Sequence, residues 1–136
     1  MTTAGPSEEL PIRTGDDVVR VRQLVRTRAQ AVRLSLVDQT KLVTAASELA
    51  RNTLVHGGSG KVLLETVERN GRHGVRATFV DEGPGIADVE QAMTDGWTSG
   101  TGLGLGLSGS RRLVDEFELA TEVGNGTTVT VVKWTR

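Results

Sequence analysis

The glycines of this chain are concentrated in one stretch, which runs from Asp81 to Ser110. Eight of the 17 glycines lie between positions 83 and 109. Glycine loses more backbone freedom on folding than other residues, so such a cluster is expected where the chain adopts positive φ or lies against a ligand. Successive amide N–H groups in a glycine-rich turn form an anion site, and a helix N-terminus behind the turn adds about half a positive charge. A helix predicted to begin near Ser108 would occupy that position, so the stretch predicts a site for a phosphate-bearing ligand.

A second candidate is the polar pair Glu48 and Asn52, which lie four residues apart. Residues at i and i+4 of a helix project from one flank, about one turn apart. The pair could face solvent and have no function. The surrounding apolar and small residues instead favour a helix that is packed on most sides; they are Leu42, Ala45, Ala46, Leu49, Ala50 and Thr53.

The segments that must position these groups follow the order β, α, α, β, β, short α, loop, α, β, β. Residues 1–9 are polar and predict a flexible tail, and residues 10–136 predict one domain whose first element is a short edge strand over 10–13. Helices are predicted from Gly15, from Ser35 to His56, over 87–94 and over 108–117. Strands are predicted over 61–68, 75–81, 118–123 and 127–134. This order favours an α+β fold: a two-layer sandwich of a mostly antiparallel sheet with helices on one face.

Asp81 ends the strand over 75–81, where a carboxylate can hold a ligand at the rim of the sheet. The order contains no βαβ alternation and no Gly-x-x-x-x-Gly-Lys-Ser/Thr sequence, which excludes a Rossmann or P-loop protein.

Composition excludes several other classes of function. The absence of cysteine excludes disulfides, cysteine metal sites and thiol catalysis, and it is compatible with a reducing cytoplasm. A net charge of -1 and an aromatic content of 3% predict no nucleic-acid partner. No apolar run approaches the roughly 18 residues of a membrane span. The sequence therefore predicts a cytoplasmic protein without a membrane partner.

Four motifs occur in a characteristic order. They are Glu48-x-x-x-Asn52 on a helix, Asp81-x-Gly83-x-Gly85 after a strand, the loop from Gly100 to Gly106, and Gly124-x-Gly126-Thr127 before the last strand. In this order and spacing the chain resembles the GHKL ATPase superfamily, over about residues 10 to 134. The resemblance implies the Bergerat type of ATP-binding sandwich. The acid at position 48 and the sequence Glu-Leu-Ala-Arg-Asn are similar to those of anti-sigma regulatory serine/threonine kinases.

The resemblance also implies ligands and roles. ATP or ADP with Mg²⁺ would be bound, Asp81 would accept a hydrogen bond from the adenine amine, and Thr127 would support that amine through water. Asn52 would be the Mg²⁺ ligand and Glu48 the catalytic base. The nucleotide-binding set is Asn52, Asp81, Gly83, Gly85, Ile86, Gly100, Thr101, Gly102, Leu103, Gly104, Leu105, Gly106 and Thr127.

The function implied is that of a switch kinase in bacterial stress signalling. Such a kinase phosphorylates STAS-domain antagonist proteins and, once released, activates a metal-dependent serine phosphatase. The alternative is an anti-sigma factor that sequesters a sigma factor directly and phosphorylates an anti-anti-sigma factor. Sporulation-type relatives carry a lid arginine that is missing between residues 97 and 106, and Arg51, Arg111 or Arg112 are candidates to replace it.

Overall fold

The secondary structure follows the predicted order along the chain. The computed structural model describes residues 1–93 and 106–136. Within these ranges the strands are β1 (Thr3–Ile12), β2 (Gly60–Arg69), β3 (Arg72–Asp81), β4 (Glu116–Glu122) and β5 (Gly126–Trp134). The helices are α1 (Gly15–Ala31), α2 (Leu36–Val55), α3 (Val89–Ala92) and α4 (Gly106–Arg112). In this part of the chain no helix is both long and apolar enough to cross a membrane.

The strands form one sheet in the order β1-β2-β3-β5-β4, and every neighbouring pair is antiparallel. Helices α1 and α2 pack on one face of this sheet. The buried core joins Val21 of α1, Leu42 and Leu49 of α2, Phe79 of β3 and Val131 of β5. The predicted α+β class, with an antiparallel sheet and helices on one face, is therefore confirmed.

Helix α2 is fixed at both ends by local signals in the sequence. The Ser35 hydroxyl accepts a hydrogen bond from the Asp38 amide at 3.1 Å, which satisfies one of the free donors of the first turn. At the other end the His56 amide bonds the Asn52 carbonyl oxygen at 2.9 Å, and Gly57 follows. Helix α2 therefore lies between Ser35 and His56, as predicted. Glu48 and Asn52 lie in its last three turns.

The turn between β2 and β3 sets the register of the sheet. Asn70 and Gly71 have φ values of 54° and 79°, as a two-residue type I′ hairpin requires. The pairing of β3 with β2 places Asp81 opposite Gly60, and the pairing of β3 with β5 places Asp81 opposite Thr127. Asp81 and Thr127 therefore lie side by side at one end of the sheet.

The prediction of a flexible tail over residues 1–9 is wrong from Thr3 onward. Strand β1 begins at Thr3 and pairs with β2, with Thr3 opposite Glu68 and an irregular register between Ala4 and Ser7. An edge strand that is exposed along most of its length needs no alternation of apolar residues. The polar sequence of β1 therefore lacks the pattern that predicts a strand. The Arg28 guanidinium of α1 fixes the segment by donating to Glu8 Oε1 at 3.0 Å and to the Pro6 carbonyl oxygen at 2.9 Å.

The helix predicted over 108–117 is also misplaced. Helix α4 begins at Gly106 and ends at Arg112, and Phe117 belongs to β4, where it pairs with Val131. The apolar residues Leu113, Val114 and Phe117 have helical spacing, but Phe117 packs against the core from a strand. The short helix predicted over 87–94 is the single turn α3, which Asp88 caps by accepting from the Gln91 amide at 3.0 Å.

Candidate functional site

The predicted site residues lie where three elements end or begin at one end of the sheet. Strand β3 ends at Asp81, β5 begins at Gly126, and the loop after α2 brings Gly57 against them. A methyl group built on Gly57 would lie 2.5 Å from Asp81 Cγ and 2.6 Å from the Thr53 carbonyl oxygen. Position 57 therefore accepts only glycine without movement, because the Asp81 side chain occupies the space beside it.

The Asp81 carboxylate is held in place by the chain that follows it. Its Oδ1 accepts a hydrogen bond from the Gly83 amide at 2.9 Å. Carboxylate oxygens accept more than one hydrogen bond, and Oδ2 receives none from residues 1–93 and 106–136. The arrangement leaves a fixed, negatively charged acceptor for a ligand donor.

The first glycine motif packs backbone against backbone. A Cβ at Gly83 would lie 2.7 Å from Gly57 Cα, and one at Gly85, whose φ is +77°, would clash with the Glu122 carbonyl oxygen. These two glycines join the loop after β3 to the loop after α2 and to the end of β4. Gly83 and Gly85, both predicted in the nucleotide-binding set, are therefore also required by the protein's own packing.

Thr127 and Ile86, both predicted in the site, are connected through Thr121 of β4. Thr121 Oγ1 accepts from the Ile86 amide at 2.9 Å and lies 2.9 Å from Thr127 Oγ1. Sequence reasoning missed Thr121, because a threonine within a strand has no distinguishing pattern. Only the pairing of β4 with β5, which places Thr121 opposite Thr127, brings it to the site.

Glu48 points toward the start of α4. Its Oε1 accepts from the Gly106 amide at 3.2 Å, and its Oε2 lies 4.0 Å from Arg51 Nη1. The Glu48 side chain is 12% exposed, which argues against the alternative that it only faces solvent. Arg51, a candidate for the missing lid arginine, therefore lies beside the predicted base.

Asn52 lies one turn after Glu48 on α2 and is half-buried. Its carboxamide oxygen is a hard donor of the kind Mg²⁺ takes together with phosphate oxygens and water. In residues 1–93 and 106–136 no group of three His, Cys, Asp or Glu side chains could hold a metal ion by itself. The donor set thus suits a magnesium ion that arrives with a phosphate ligand.

Gly106 is the only predicted lid residue that the structure describes. It begins α4, and its carbonyl oxygen accepts from Ser110 Oγ at 3.1 Å. The other predicted lid residues lie outside the described residues; they are Gly100, Thr101, Gly102, Leu103, Gly104 and Leu105.

A cluster of charges at the opposite end of the sheet anchors the other end of α2. Lys133 Nζ lies 3.5 Å from Asp38 Oδ1 and 3.5 Å from Asp115 Oδ1, and Arg136 pairs with Asp115 at 3.0 Å. Burial raises the pKa of Asp115, but the hydrogen bond from the Trp134 amide and the charges of Lys133 and Arg136 outweigh it, so the pKa is lowered. This cluster ties the start of α2 to β5 and to the loop after α4.

Comparison with known proteins shows which family the chain resembles. The family model of histidine kinase-, DNA gyrase B- and HSP90-like ATPases matches residues 37–135. The serine/threonine-protein kinase RsbT of Bacillus subtilis (strain 168) is 42% identical over 125 residues, which cover 92% of this chain and 94% of that protein.

Two less similar relatives are anti-sigma F factors. The anti-sigma F factor of Thermoanaerobacter sp. (strain X514) is 28% identical and covers 83% of this chain and 82% of its own length. The anti-sigma F factor of Geobacillus sp. (strain WCH70) is 33% identical and covers 71% of this chain and 70% of its own length.

A solved structure shares the fold. The crystal structure of the RsbU and RsbW domains of a Mycobacterium tuberculosis protein matches 97% of this chain with a TM-score of 0.66 and 22% identity. The present chain spans 33% of that solved chain. The family match over residues 37–135 and the relative that is 42% identical together confirm the GHKL resemblance predicted from the motifs, and the chain belongs to the family of histidine kinase-, DNA gyrase B- and HSP90-like ATPases.

Proposed function

We propose that this chain is an ATP-dependent serine/threonine protein kinase of a bacterial partner-switching pathway. Its substrates are STAS-domain antagonist proteins in the cytoplasm, and the released kinase activates a metal-dependent serine phosphatase. The observation that carries the proposal is the identity of 42% to RsbT, a serine/threonine-protein kinase, along nearly the whole of both chains. The position of Glu48 beside Asn52 and Gly106 supports it independently.

Asp81 and Thr127 bind the adenine ring. The carboxylate of Asp81 is fixed by the Gly83 amide and accepts a hydrogen bond from the exocyclic amine, while Thr127 supports the same amine. A hydrogen bond to a charged group contributes about 1.5 to 3 kcal/mol, so Asp81 supplies much of the base affinity.

Asn52 and the predicted lid hold the phosphates and the magnesium ion. Asn52 would hold Mg²⁺ through its carboxamide oxygen, together with phosphate oxygens and water, and the ion would offset charge on the phosphates. The backbone amides of the lid glycines would contribute hydrogen-bond donors to the phosphates.

Glu48 acts as the general base. The substrate serine Oγ forms a bond to the γ-phosphorus, the bond from that phosphorus to the bridging oxygen breaks, and the serine proton passes to a carboxylate oxygen of Glu48. ADP leaves with the bridging oxygen. Because phosphoryl transfer depends mainly on positioning and charge stabilisation, one base and one protein metal ligand suffice. The Arg51 guanidinium, which lies 4.0 Å from Glu48 Oε2, is a candidate to supply the positive charge of the missing lid arginine.

The alternative function is sequestration of a sigma factor. The similarity to anti-sigma F factors over 83% and 71% of the chain favours it, because the matches extend over most of both chains. In that case phosphorylation of an anti-anti-sigma factor would be retained and the sigma factor would be the main partner.

One reconstitution separates the two functions. The purified chain is mixed with Mg²⁺, ATP, a STAS-domain antagonist protein and a sigma factor, and phosphoserine formation and co-elution are both measured. The kinase proposal predicts phosphate on a serine of the STAS protein, loss of transfer on chelation of Mg²⁺, and no complex with the sigma factor. Co-elution with the sigma factor and absence of transfer to the STAS protein would overturn it in favour of sequestration.

A further inference from the structure

Thr121 makes three hydrogen-bond contacts through one hydroxyl oxygen. The Ile86 amide lies 2.9 Å from Oγ1, the Gly126 carbonyl oxygen 3.1 Å, and the Thr127 hydroxyl 2.9 Å. These contacts connect the loop after β3, the start of β5 and strand β4. Thr121 therefore joins three segments at this end of the sheet, although the proposed mechanism does not use it.

The number of protons at Thr121 fixes the direction of each contact. A threonine hydroxyl has one proton to donate and two lone pairs to accept with. The Ile86 amide can only donate, and the Gly126 carbonyl oxygen can only accept. The single Thr121 proton therefore goes to Gly126, and the Thr127 hydroxyl must donate its own proton to Thr121.

The direction of that bond determines what Thr127 offers to a ligand. Since its proton is used by Thr121, Thr127 Oγ1 presents only lone pairs. Asp81 and Thr127 are direct partners across β3 and β5, and Thr127 and Thr121 are direct partners across β5 and β4. Directly opposite residues project from the same face of a sheet, so the side chains form one row, Asp81, Thr127 and Thr121.

We propose that Thr121 determines the purine specificity of the site by holding the Thr127 hydroxyl as a hydrogen-bond acceptor. The proposal rests on the nucleotide site described above. Asp81 then accepts directly from the exocyclic amine. The water between Thr127 and that amine gives its protons to Thr127 and Asp81, so it presents a lone pair to the amine. A purine with a carbonyl oxygen at the same ring position places an acceptor against acceptors and is rejected. Thr121 is a positioning residue, because it acts through Thr127 and does not touch the ring.

The test compares two nucleotides that differ at this ring position. ADP carries an amine at C6 and inosine diphosphate carries a carbonyl, and the dissociation constant of each is measured by calorimetry for the wild-type chain and for Thr121→Val. Valine keeps the shape and removes the hydroxyl, so Thr127 is free to rotate and donate to the bridging water, which can then donate to a carbonyl. We expect the preference for ADP over inosine diphosphate to fall about tenfold, the size of one hydrogen bond.

Three further variants separate specificity from structure. Thr121→Ser restores the hydroxyl and should keep the wild-type preference. Thr130→Val makes the same change on β5 at a position that alternates with the buried Val129 and Val131, and it should also leave the preference unchanged. Thr121→Val should have no further effect on the preference in a Thr127→Val background, because Thr121 acts through that hydroxyl. Thr121→Ala replaces Thr121→Val if circular dichroism shows that the valine variant does not fold.

The outcomes are distinguishable. If Thr121→Val leaves the ratio of the two dissociation constants unchanged, including by weakening both equally, the role of Thr121 is overturned and the nucleotide site remains. Absence of any ADP binding by the wild-type chain would overturn the nucleotide site, and the specificity proposal with it.

Discussion

The substitution Gly57→Ala tests whether the loop after α2 positions Asp81. The added methyl group would lie 2.5 Å from Asp81 Cγ, whereas ordinary contacts of this kind lie at 3.4 to 4 Å. The Thr53 carbonyl oxygen, 2.6 Å from the same methyl group, prevents retreat toward the helix because it belongs to the backbone of α2. Asp81 Cβ lies nearer still to the methyl group and is fixed to the backbone of β3, so the end of β3 must move together with the Asp81 side chain.

The size of the effect follows from this displacement. Overpacking a fitted site costs about 1 to 3 kcal/mol of unfolding free energy. Loss of a hydrogen bond to a charged acceptor costs a further 1.5 to 3 kcal/mol of binding free energy, or about a 10- to 150-fold increase in the dissociation constant. We therefore expect Gly57→Ala to fold, to unfold at a lower urea concentration, and to bind ADP at least about tenfold more weakly.

The assay is calorimetric titration with ADP and Mg²⁺, accompanied by urea unfolding. Gly15→Ala is the matched control, because Gly15 begins α1 and a Cβ there would meet nothing within 4 Å. The control should bind ADP as the wild-type chain does. A folded Gly57→Ala variant with wild-type affinity for ADP would show that the position of Asp81 against Gly57 has no part in binding.

The remaining predictions concern the base, the adenine contact and the charged cluster. Glu48→Gln should keep ADP affinity within about twofold and reduce phosphate transfer by about 10² to 10⁴, measured as phosphoserine formed per minute; an unchanged rate removes Glu48 from the role of base. Asp81→Asn should still accept from the Gly83 amide but present a donor to the adenine amine, so ADP affinity should fall by about 100-fold while the unfolding free energy stays within about 1 kcal/mol; retained affinity would contradict the assignment. Because the folded-state pKa of Asp115 is lowered, its stabilisation is present above the unfolded-state pKa and is lost as the pH falls from about 5 toward 2. Asp115→Asn should therefore reduce the unfolding free energy at pH 7 by about 1 kcal/mol, after allowance for screening by water, and flatten its decline in acid, as urea unfolding at a series of pH values would show; an unaltered acid profile would contradict it.

The sequence predicted the elements whose signals are local. The Ser35 cap and the glycine after His56 bounded α2, and Asn70-Gly71 fixed the hairpin between β2 and β3. The Glu48 and Asn52 pair followed from helical spacing alone. In each case the residues that determine the structure lie within a few positions of one another.

The errors came from elements that depend on distant partners. Strand β1 has a polar sequence because most of it lies exposed at the sheet edge, and it is held by β2 and by Arg28 of α1. Phe117 fits a helical spacing but pairs with Val131 in the sheet. A local pattern cannot distinguish these cases, because the deciding contacts are made by residues far along the chain.

The same limit applies to the site. The motifs identified Asp81 and Thr127 but not the row that they form with Thr121, which requires the register of three strands. Gly57 directly follows the predicted end of the helix at His56, and only the folded chain shows its contact with the Asp81 side chain. The chemistry of the site was therefore predictable from residue types, while the residues that orient it were not.

We propose that Asp81, Thr127 and the end of α2 bind an adenine nucleotide. Calorimetric titration of the purified wild-type chain with ADP in the presence of Mg²⁺ measures this binding. We expect saturable heat with one nucleotide per chain. Absence of heat, both for the chain alone and in the presence of a STAS-domain protein, would contradict it.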